Sequence, residues 1–471
     1  MPLKARANIA ISAAIAMLAP DVAQAASLDG AALQWPWALP FLGILLTIAT
    51  GPLLIPKIWH RYYGTIALLW SLLTLGPLAL FYGTPAAVSG LSHAMLGEYL
   101  SFIVLLFALY TVAGGVLVTG NLRGNPLTNT ALLGIGTLMA SIVGTTGAAM
   151  ILIRPLIRAN AARVHNVHVV VFFIFLVANI GGALSPLGDP PLFVGFLRGV
   201  DFFWTTRHLL IQTALVAAIV LVIFIVLDLW FYRKDRLVQP VDRPPLNLEI
   251  KGRVNLLLLG AIILAILLSA TFKLGIVFDA YGTPLALQNL LRDGALIVIA
   301  LLSLWLTPNE HREANGFTWE PIREVAILFA GIFICIIPVL AMLAAADKGA
   351  FAWLLALVTS PNGLPNNVAY FWLTGGLSAF LDNAPTYLVL FELAGGDAPT
   401  LMGLLASTLG AISMGAVYMG ALTYIGNAPN FIVYAIAVER GVKMPSFFGY
   451  MLWSGAVLLP VFALLNYLFI R

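Results

Sequence analysis

The amino-acid sequence predicts an all-α polytopic membrane protein, and three observations support this prediction. The chain has 471 residues, of which 61% are hydrophobic and only 9% are charged, whereas a soluble protein carries about 25% charged residues. Apolar stretches of about 20 residues, enough to span a bilayer, recur along the chain. Two of these stretches are interrupted by proline, glycine and polar residues at matching positions in the two halves of the chain.

The N-terminus is typical of a secretory signal peptide. Lys4 and Arg6 form a basic start, residues 7–19 form an apolar core, and Ala23-Gln24-Ala25 fits a cleavage site. We therefore expect residues 1–25 to be a signal peptide that is removed, which leaves the mature N-terminus outside the cytoplasm. An uncleaved anchor is the alternative.

Uninterrupted spans are predicted where apolar residues continue for most of the thickness of a bilayer. The segment 347–366 is instead predicted to be an interfacial helix followed by a turn. The predicted spans are 37–56, 62–82, 99–120, 207–231, 254–272, 294–307, 325–346 and 446–470.

Two further segments, 127–158 and 367–394, are predicted to be re-entrant hairpins. In each, two apolar arms, too short to span comfortably, flank a polar tip, at 144–147 in the first and at 382–386 in the second. Irregular backbone at membrane depth is tolerated where protein buries it or where it borders a water-filled cavity. A kinked helix is the alternative for each segment.

The segments 167–198 and 402–438 are predicted to be broken helices. The first contains GALSPLGDPP, from Gly182 to Pro191, and the second contains YIGNAPN at 424–430. Proline removes a backbone donor and clashes with the preceding turn, so it breaks a helix. A carboxylate at such a break, here Asp189, is by default a functional-site hypothesis.

Charge distribution predicts the topology. When both hairpins are treated as non-crossing, most Lys and Arg residues fall on one face, which is the predicted cytoplasmic face. Each half then consists of three spans, a hairpin, a broken helix and a closing span, and the halves have opposite orientations. The predicted domains are two inverted repeats, 26–232 and 254–471, joined by a basic cytoplasmic linker at 233–253. Both mature termini are then periplasmic.

The spacing of the interruptions supports this repeat. Thr145 precedes Asp189 by 44 residues, and Asn383 precedes Asn427 by the same number. Inverted repeats with paired broken helices are the architecture of secondary transporters, whose substrate sites lie near the bilayer midplane.

Polar groups at the two tips and two breaks are candidate ligands for a hard cation such as Na⁺, which prefers oxygen atoms. Asp189 and Asp382 are the only acidic residues among them. A carboxylate that releases a proton when it takes up a cation is the minimal device for exchange, although both could simply cap a half-helix. The predicted cation- and proton-binding residues are Asp189, Asp382, Asn383, Thr145, Thr146, Ser185 and Asn427, with Gly188, Thr386, Asn430 and Asn179 as further candidates.

Other classes of protein are disfavoured. The single Cys335 excludes an intramolecular disulfide and a cysteine metal cluster. No H-E-x-x-H motif occurs and no histidine lies at the four interruptions, so an enzyme is not expected. We expect no nucleic-acid partner and no cofactor besides the transported Na⁺ and H⁺. Asp228 and Glu392, at the ends of their segments, are expected near the membrane surface.

Four segments carry a resemblance to a known family. GGALSPLGD (181–189) and SAFLDNAPT (378–386) resemble signature segments of NhaD-type sodium/proton antiporters. These antiporters belong to an ion transporter superfamily that includes citrate, dicarboxylate and arsenite carriers. GTTGAAMILIRPLI (144–157) and GNAPN (426–430) resemble the first hairpin and the second broken helix of that superfamily.

The resemblance implies a homodimer with a scaffold domain, and a transport domain that carries both hairpins and both breaks and moves during alternating access. Dicarboxylate carriers of the superfamily typically have Ser-Asn-Thr at each hairpin tip, and this chain lacks that motif at both tips. This departure disfavours a carboxylate substrate.

Together these features predict a secondary active transporter in the bacterial inner membrane, with the lipid bilayer around it. The leading hypothesis is Na⁺ (or Li⁺)/H⁺ antiport. The alternative is a cation-coupled carrier of citrate or another dicarboxylate, in which half-helix N-termini and neutral amides hold the organic anion.

Overall fold

The computed structural model describes residues 28–235 and 248–470. The predicted signal peptide and most of the predicted linker lie outside the described residues. The described part is nearly all helical, with four short strands, and nine of its helices are long and apolar enough to cross a membrane. The prediction of an all-α polytopic membrane protein is therefore confirmed.

Helices of the first half are labelled α1 to α9 in chain order. A π-helix, His93–Tyr99, continues α3 into α4, and short 3₁₀ segments lie at Trp35–Ala38 and Ile180–Leu184. The bounds are α1 Leu39–Leu54, α2 Pro56–Tyr82, α3 Thr84–Ser92, α4 Leu100–Gly114, β1 Leu117–Gly120, α5 Pro126–Val143, α6 Thr145–Ala159, α7 Val167–Leu176, α8 Pro190–Leu197 and α9 Trp204–Asp235.

The second half continues the labels to α21. Short 3₁₀ segments lie at Ala346–Lys348 and Gly420–Leu422. The bounds are β2 Leu248–Lys251, α10 Val254–Thr271, β3 Val277–Ala280, β4 Thr283–Ala286, α11 Leu287–Leu306, α12 Asn309–Ala314, α13 Glu320–Cys335, α14 Ile337–Ala344, α15 Ala352–Leu357, α16 Asn367–Leu381, α17 Asn383–Leu393, α18 Ala398–Met402, α19 Ala406–Met419, α20 Ala428–Glu439 and α21 Phe447–Phe469.

The two predicted hairpins are helix pairs that begin in the same way. The side chain of Asn125 accepts a hydrogen bond from the backbone of Thr128 at the start of α5, and that of Asn366 accepts one from Ala369 at the start of α16. Such N-caps satisfy backbone donors that have no partner within the helix. Both arms of each hairpin were predicted to be too short to span a membrane comfortably. Helix α5, the first arm of the first hairpin, is by itself long and apolar enough to cross a membrane.

Both predicted broken helices are interrupted, but the interruptions are longer than expected. In the first half, regular α-helix stops at Leu176, well before the predicted break, and resumes only at Pro190. In the second half, the chain is broken again at 403–405, before α19, in addition to the expected break that ends at Asn427. Backbone groups within the first break form 3₁₀-type hydrogen bonds. For example, the Gly182 amide donates a hydrogen bond to the Asn179 carbonyl oxygen at 2.8 Å.

The predicted span 99–120 is wrong at both ends. The helix starts earlier, at Thr84, and ends at Gly114, while Leu117–Gly120 forms strand β1, antiparallel to β2, with Leu117 opposite Lys251. β3 and β4 form a second antiparallel ribbon. An apolar run rich in Val and Thr suits a strand as well as a helix, so hydropathy could not separate the two.

Two buried charges explain why another boundary was predicted too late. The span predicted at 294–307 begins at Leu287, because the helix includes the charged residues Arg292 and Asp293. Arg292 lies inside the protein, where its Nε is 2.8 Å from the Asp293 carboxylate and a terminal nitrogen is 2.8 Å from the Ser101 hydroxyl. The predicted span 325–346 is a bent pair, α13 and α14, at 42°.

Asp228 is also buried inside the protein, where it is paired. Its carboxylate lies 2.6 Å from Arg163 and 2.7 Å from His168, and it accepts a hydrogen bond from Asn129 at 2.9 Å. The charged and hydrogen-bonding partners offset the cost of burying this carboxylate, which would be high without them. This cluster joins α5, α7 and α9.

The helices pack into two groups. The hairpin group contains α5 to α9 and α16 to α21, which pack mainly on one another. The flanking group contains α1 to α4, α10, α11, α13 and α14, which also pack mainly on one another. The groups meet where α6 packs on α4, where α17 packs on α14 and where α16 packs on α1. All four polar interruptions lie in the hairpin group.

Candidate functional site

Each hairpin turns sharply at a single residue. Gly144 separates α5 from α6 with φ 82° and ψ 152°, and Asp382 separates α16 from α17 with φ 73° and ψ 142°. This region of backbone space is costly for any residue but glycine. Asp382 accepts a hydrogen bond from the Ala384 amide at 3.3 Å, so the residue caps α17. The tips are therefore abrupt corners rather than polar loops, and Thr145 and Asn383 already belong to the following helices.

Each break is held to the tip of the hairpin in the same half by a hydroxyl group. Ser185 donates a hydrogen bond to the carbonyl of Ser141, and Thr423 donates one to the carbonyl of Ala379. The same hydroxyls accept hydrogen bonds from the amides two residues ahead, at 3.2 Å in both breaks. The two halves therefore repeat the same local hydrogen bonds.

The equivalent positions are related by an offset of 238 residues, the separation of Asp189 from Asn427. The same offset relates Gly144 to Asp382 and Thr145 to Asn383. The boundaries predicted for the repeats and their orientation in the membrane remain predictions.

Gly188 brings the first break close to the preceding turn. A Cβ atom there would lie 2.1 Å from the carbonyl oxygen of Gly182, which is too close for any side chain. The backbone oxygen of Gly188 in turn accepts a hydrogen bond from the Thr145 amide at 2.8 Å. Gly188 therefore supports the position of Thr145 beside the break.

Asp189 lies at the point where the four interruptions meet. It is 1% exposed, and its Oδ1 accepts hydrogen bonds from the Thr145 hydroxyl at 3.0 Å and from the Asn427 amide at 2.9 Å. Its Oδ2 accepts one from the Asn383 amide at 2.5 Å. The four side chains come from both hairpin tips and both breaks, as the sequence predicted for these residues.

One buried oxygen in this cluster has no hydrogen-bond donor among residues 28–235 and 248–470. Asn383 is fully buried, and its Oδ1 has no partner although its amide nitrogen contacts Asp189. Buried polar atoms are normally satisfied. A carboxylate, a hydroxyl and a free amide oxygen within one cluster are oxygen ligands of the kind that a hard cation prefers.

Two cavities approach this cluster. A narrow cavity of about 60 Å³ is lined by Thr146, Gly188, Asp189, Asp382 and Asn427, among others. A larger cavity of about 390 Å³ also reaches Asp382 and Asn427. The larger cavity lies between the hairpin group and the flanking group. Its acidic, basic and histidine lining residues are His60, Arg154, Glu320, Glu324, Asp382 and Glu439.

Four of the predicted residues hold the breaks and tips in shape. Thr386 donates to the carbonyl of Asp382 at 2.8 Å, and Asn430 donates to the carbonyls of Gly420 and Thr423. Asn179 donates to the side-chain oxygen of Asn430 at 2.7 Å and accepts from the Asn427 amide at 3.3 Å. With Ser185, these residues orient the groups that contact Asp189. Their role in binding remains a prediction.

Sequence reasoning missed Ser141 and Thr423. Ser141 donates to the carbonyl of Gly181 at 2.5 Å and accepts from the Leu184 amide, so it ties the first hairpin to the first break. The spacing of 44 residues contained the signal, because it relates Ser141 to Ser185 and Ala379 to Thr423.

A helical membrane protein whose polar groups meet at paired helix breaks belongs to the class of secondary transporters. A family model described as "Putative citrate transport" matches residues 30–470. The chain belongs to this family, and it is a multi-pass membrane transporter. A search of curated proteins found no match.

Proposed function

We propose that this chain is a cation/proton antiporter in which Asp189 binds Na⁺ (or Li⁺) and H⁺ alternately. The observation that carries this proposal is the environment of Asp189. Its carboxylate is buried, and its hydrogen-bond partners within the described chain are the neutral side chains of Thr145, Asn383 and Asn427. An ionised carboxylate without a cationic partner is costly to bury. A proton or a metal cation would neutralise it.

The neighbouring groups suit a cation that has lost its water. Thr145 and Asn383 can each offer an oxygen atom toward the same space, and Asn383 has one that is unused. When a proton replaces the cation, the same neighbours can still hydrogen-bond to the neutral acid. The two loaded states therefore need only small changes in the cluster, whereas the unloaded state would leave a buried charge.

The route toward Asp189 supports the same proposal. In the cavity of about 390 Å³, four carboxylates face Arg154 and His60. An excess of one sign of charge in a cleft raises the local concentration of counter-ions. An acidic lining favours the approach of a cation and opposes that of a citrate anion. In this proposal the protein is not an enzyme and needs no cofactor.

The second candidate is a cation-coupled carrier of citrate or another dicarboxylate, and the family match favours it. In that reading the Asp189 cluster holds the coupling cation. Arg154 and the N-terminus of α20, both at the larger cavity, are the groups available to the carboxylates, since a helix N-terminus favours negative charge.

The two candidates predict different responses in everted membrane vesicles. Vesicles that contain the protein and a pH-sensitive dye would be acidified and then given Na⁺, Li⁺, K⁺ or citrate in turn, with vesicles that lack the protein as the control. Antiport predicts dye recovery with Na⁺ or Li⁺ and none with citrate. Uptake of labelled citrate, without dye recovery on addition of Na⁺ or Li⁺, would reject the antiport proposal in favour of the second candidate.

We also propose that the protein resides in the bacterial inner membrane as a homodimer, with both mature termini in the periplasm. The charge distribution supports the orientation, and the family resemblance supports the dimer. A reporter that is active only in the periplasm, fused after Arg471, tests the orientation. An inactive reporter would reverse it.

A further inference from the structure

A third cavity lies away from the Asp189 cluster. It measures about 260 Å³, and its lining includes His93, Glu98, Arg198, Ala344 and Glu392. None of these residues lines the two cavities at Asp189. It also lies between the two groups of helices, since Glu98 and Ala344 belong to the flanking group, while Arg198 and Glu392 belong to the hairpin group.

Arg198 joins the two groups at this cavity. One of its terminal nitrogens lies 2.7 Å from Glu98, and the other contacts Glu392. Among the salt bridges between described residues, only Arg198–Glu98 joins the hairpin group to the flanking group. The side chains of all three residues are at least three-quarters buried, so water screens these charges weakly.

Four phenylalanine rings in mutual contact extend from the narrow cavity at Asp189 to this cavity. Phe193 and Phe329 line the narrow cavity at Asp189, whereas Phe333 lines the third cavity. The buried ring of Phe102 contacts all three, with ring centroids 6.5 Å from Phe193, 4.8 Å from Phe329 and 5.7 Å from Phe333. A hydrated cation cannot pass such a packed apolar layer without the groups separating.

A single half-helix connects these features. Asp189 precedes the first residue of α8, Phe193 lies within it, and Arg198 follows its last residue. The eight residues of α8 extend over about 12 Å at the rise of an α-helix. Any movement of the Asp189 cluster relative to the flanking group therefore also moves Phe193 and Arg198 relative to Phe102 and Glu98.

The π-helix His93–Tyr99 places Glu98 at this point of the flanking group. Single-turn π segments interrupt an α-helix and are frequent at functional sites. Here the segment lies within an otherwise helical stretch from Thr84 to Gly114, and it carries both Glu98 and His93, 3.8 Å apart.

We propose that Arg198, Glu98 and Glu392, with the four phenylalanines, form a gate that closes the route from Asp189 to the membrane face opposite the larger cavity. Arg198–Glu98 is the part that breaks when the gate opens, because it joins the two groups. Arg198–Glu392 stays intact, because both residues belong to the hairpin group. This inference depends on alternating access by the transporter, but not on which ion or anion is carried.

Single cysteines report which face reaches the site, whatever the substrate. In a Cys335→Ser background, Thr146→Cys probes the narrow cavity at Asp189 and Ala344→Cys probes the third cavity. A membrane-impermeant maleimide is added to right-side-out and to everted vesicles. The gate predicts that the thiols introduced at the two positions react from opposite faces.

Glu98→Gln then tests the bond that joins the groups. It keeps the size of the side chain and leaves Arg198–Glu392 in place. We expect labelling of the Thr146→Cys thiol, from the face that labels the Ala344→Cys thiol, to rise by about tenfold, which corresponds to about 1.4 kcal/mol of lost stabilisation of the closed state. Arg207→Gln is the matched control, because Arg207 forms an exposed pair with Asp201 at 3.7 Å, and no change is expected.

Cross-linking separates a gate from a purely structural ion pair. A short bis-thiosulfonate reagent would join Glu98→Cys to Arg198→Cys across the groups, or Arg198→Cys to Glu392→Cys within the hairpin group. Both variants lack the arginine, so both ion pairs are absent in each, and each variant without the cross-linker is the control for the glutamate that it also lacks. We expect the first cross-link to abolish labelling of the Thr146→Cys thiol from the face of the third cavity, and the second to leave it unchanged. Equal labelling with both cross-links, or no effect of Glu98→Gln, would overturn the proposal.

Discussion

Asp189 and Asn427 occupy equivalent points of the two helix breaks, with φ and ψ of −145° and 143° in the first and −153° and 137° in the second. Each follows a glycine that packs against a backbone carbonyl, and each precedes a half-helix with proline in its first turn. Only the first carries a charge. The shared features are thus those that the backbone requires, and the carboxylate is an addition that the backbone does not require.

At the hairpin tips, the acidic residue lies in the second half and not in the first. Gly144 has the backbone conformation that glycine tolerates best, while its equivalent Asp382 has nearly the same angles with a side chain attached. Each half therefore has one acidic residue at these positions. It lies at the helix break in the first half and at the hairpin tip in the second half. The position of the acid is therefore not part of the backbone pattern that the two halves share.

Removing the charge from the first break would make the two breaks chemically alike. We expect Asp189→Asn to reduce Na⁺-dependent dye recovery in everted vesicles by about 100-fold or more, because loss of even an outer partner of a metal ligand costs 10–100-fold. The protein should still fold, since asparagine already occupies the equivalent position 427. Expression and elution as a single species would be measured alongside.

Asp201→Asn is the matched control for this variant. Asp201 is exposed and lies outside the cluster. Its ion-pair partner is Arg207, and asparagine can keep the hydrogen bond that it accepts from the Phe203 amide, so transport should be unchanged. Full transport by Asp189→Asn would show that transport does not need this carboxylate, and the antiport proposal would lose its main support.

The glycines before the two breaks should both be required, since they belong to the shared backbone. A Cβ atom would lie 2.1 Å from the Gly182 oxygen at position 188 and 2.6 Å from the Gly420 oxygen at position 426. We expect Gly188→Ala and Gly426→Ala to destabilise the protein by roughly 1–3 kcal/mol, the usual cost of overpacking, with the larger effect at 188. Thermal unfolding in detergent measures the difference.

Gly260→Ala serves as the control for these two variants. A Cβ atom there meets nothing within 4 Å, and the residue lies inside α10, so the change should be neutral or stabilising by up to about 1 kcal/mol. Unchanged stability of both Gly188→Ala and Gly426→Ala would mean that the close approach of the backbone is not needed in either half.

The sequence was sufficient for the features that depend on composition and spacing. Long apolar stretches predicted most spans, and the interval of 44 residues correctly paired Thr145 with Asp189, which share a hydrogen bond. Proline and glycine located both breaks, although not the point where α7 ends. These signals are local in the chain, so they can be recognised without knowledge of the packing.

Features that depend on distant partners were not predictable. The ion pairs that Asp228 and Arg292 form inside the protein could not be predicted, because hydropathy treats each residue as a lone charge. Strand β1 is a strand only because β2, about 130 residues away, pairs with it. Likewise, the sequence does not indicate a role for Glu98, because its contact with Arg198 depends on the packing of the two groups of helices.

Asp382→Gly tests the smaller of the two contrasts, at the hairpin tips. Glycine would remove a side chain from a backbone conformation that costs roughly 1–3 kcal/mol for other residues, whereas loss of the cap to Ala384 by substitution with glycine costs only a few tenths. We expect a net gain of about 1 kcal/mol in stability together with weaker transport. Asp382→Asn, which keeps a capping side chain and removes only the charge, should weaken transport without the gain in stability. If Asp382→Gly transports normally, the carboxylate at this tip is no ligand, and Asp189 is the only acid that the exchange needs.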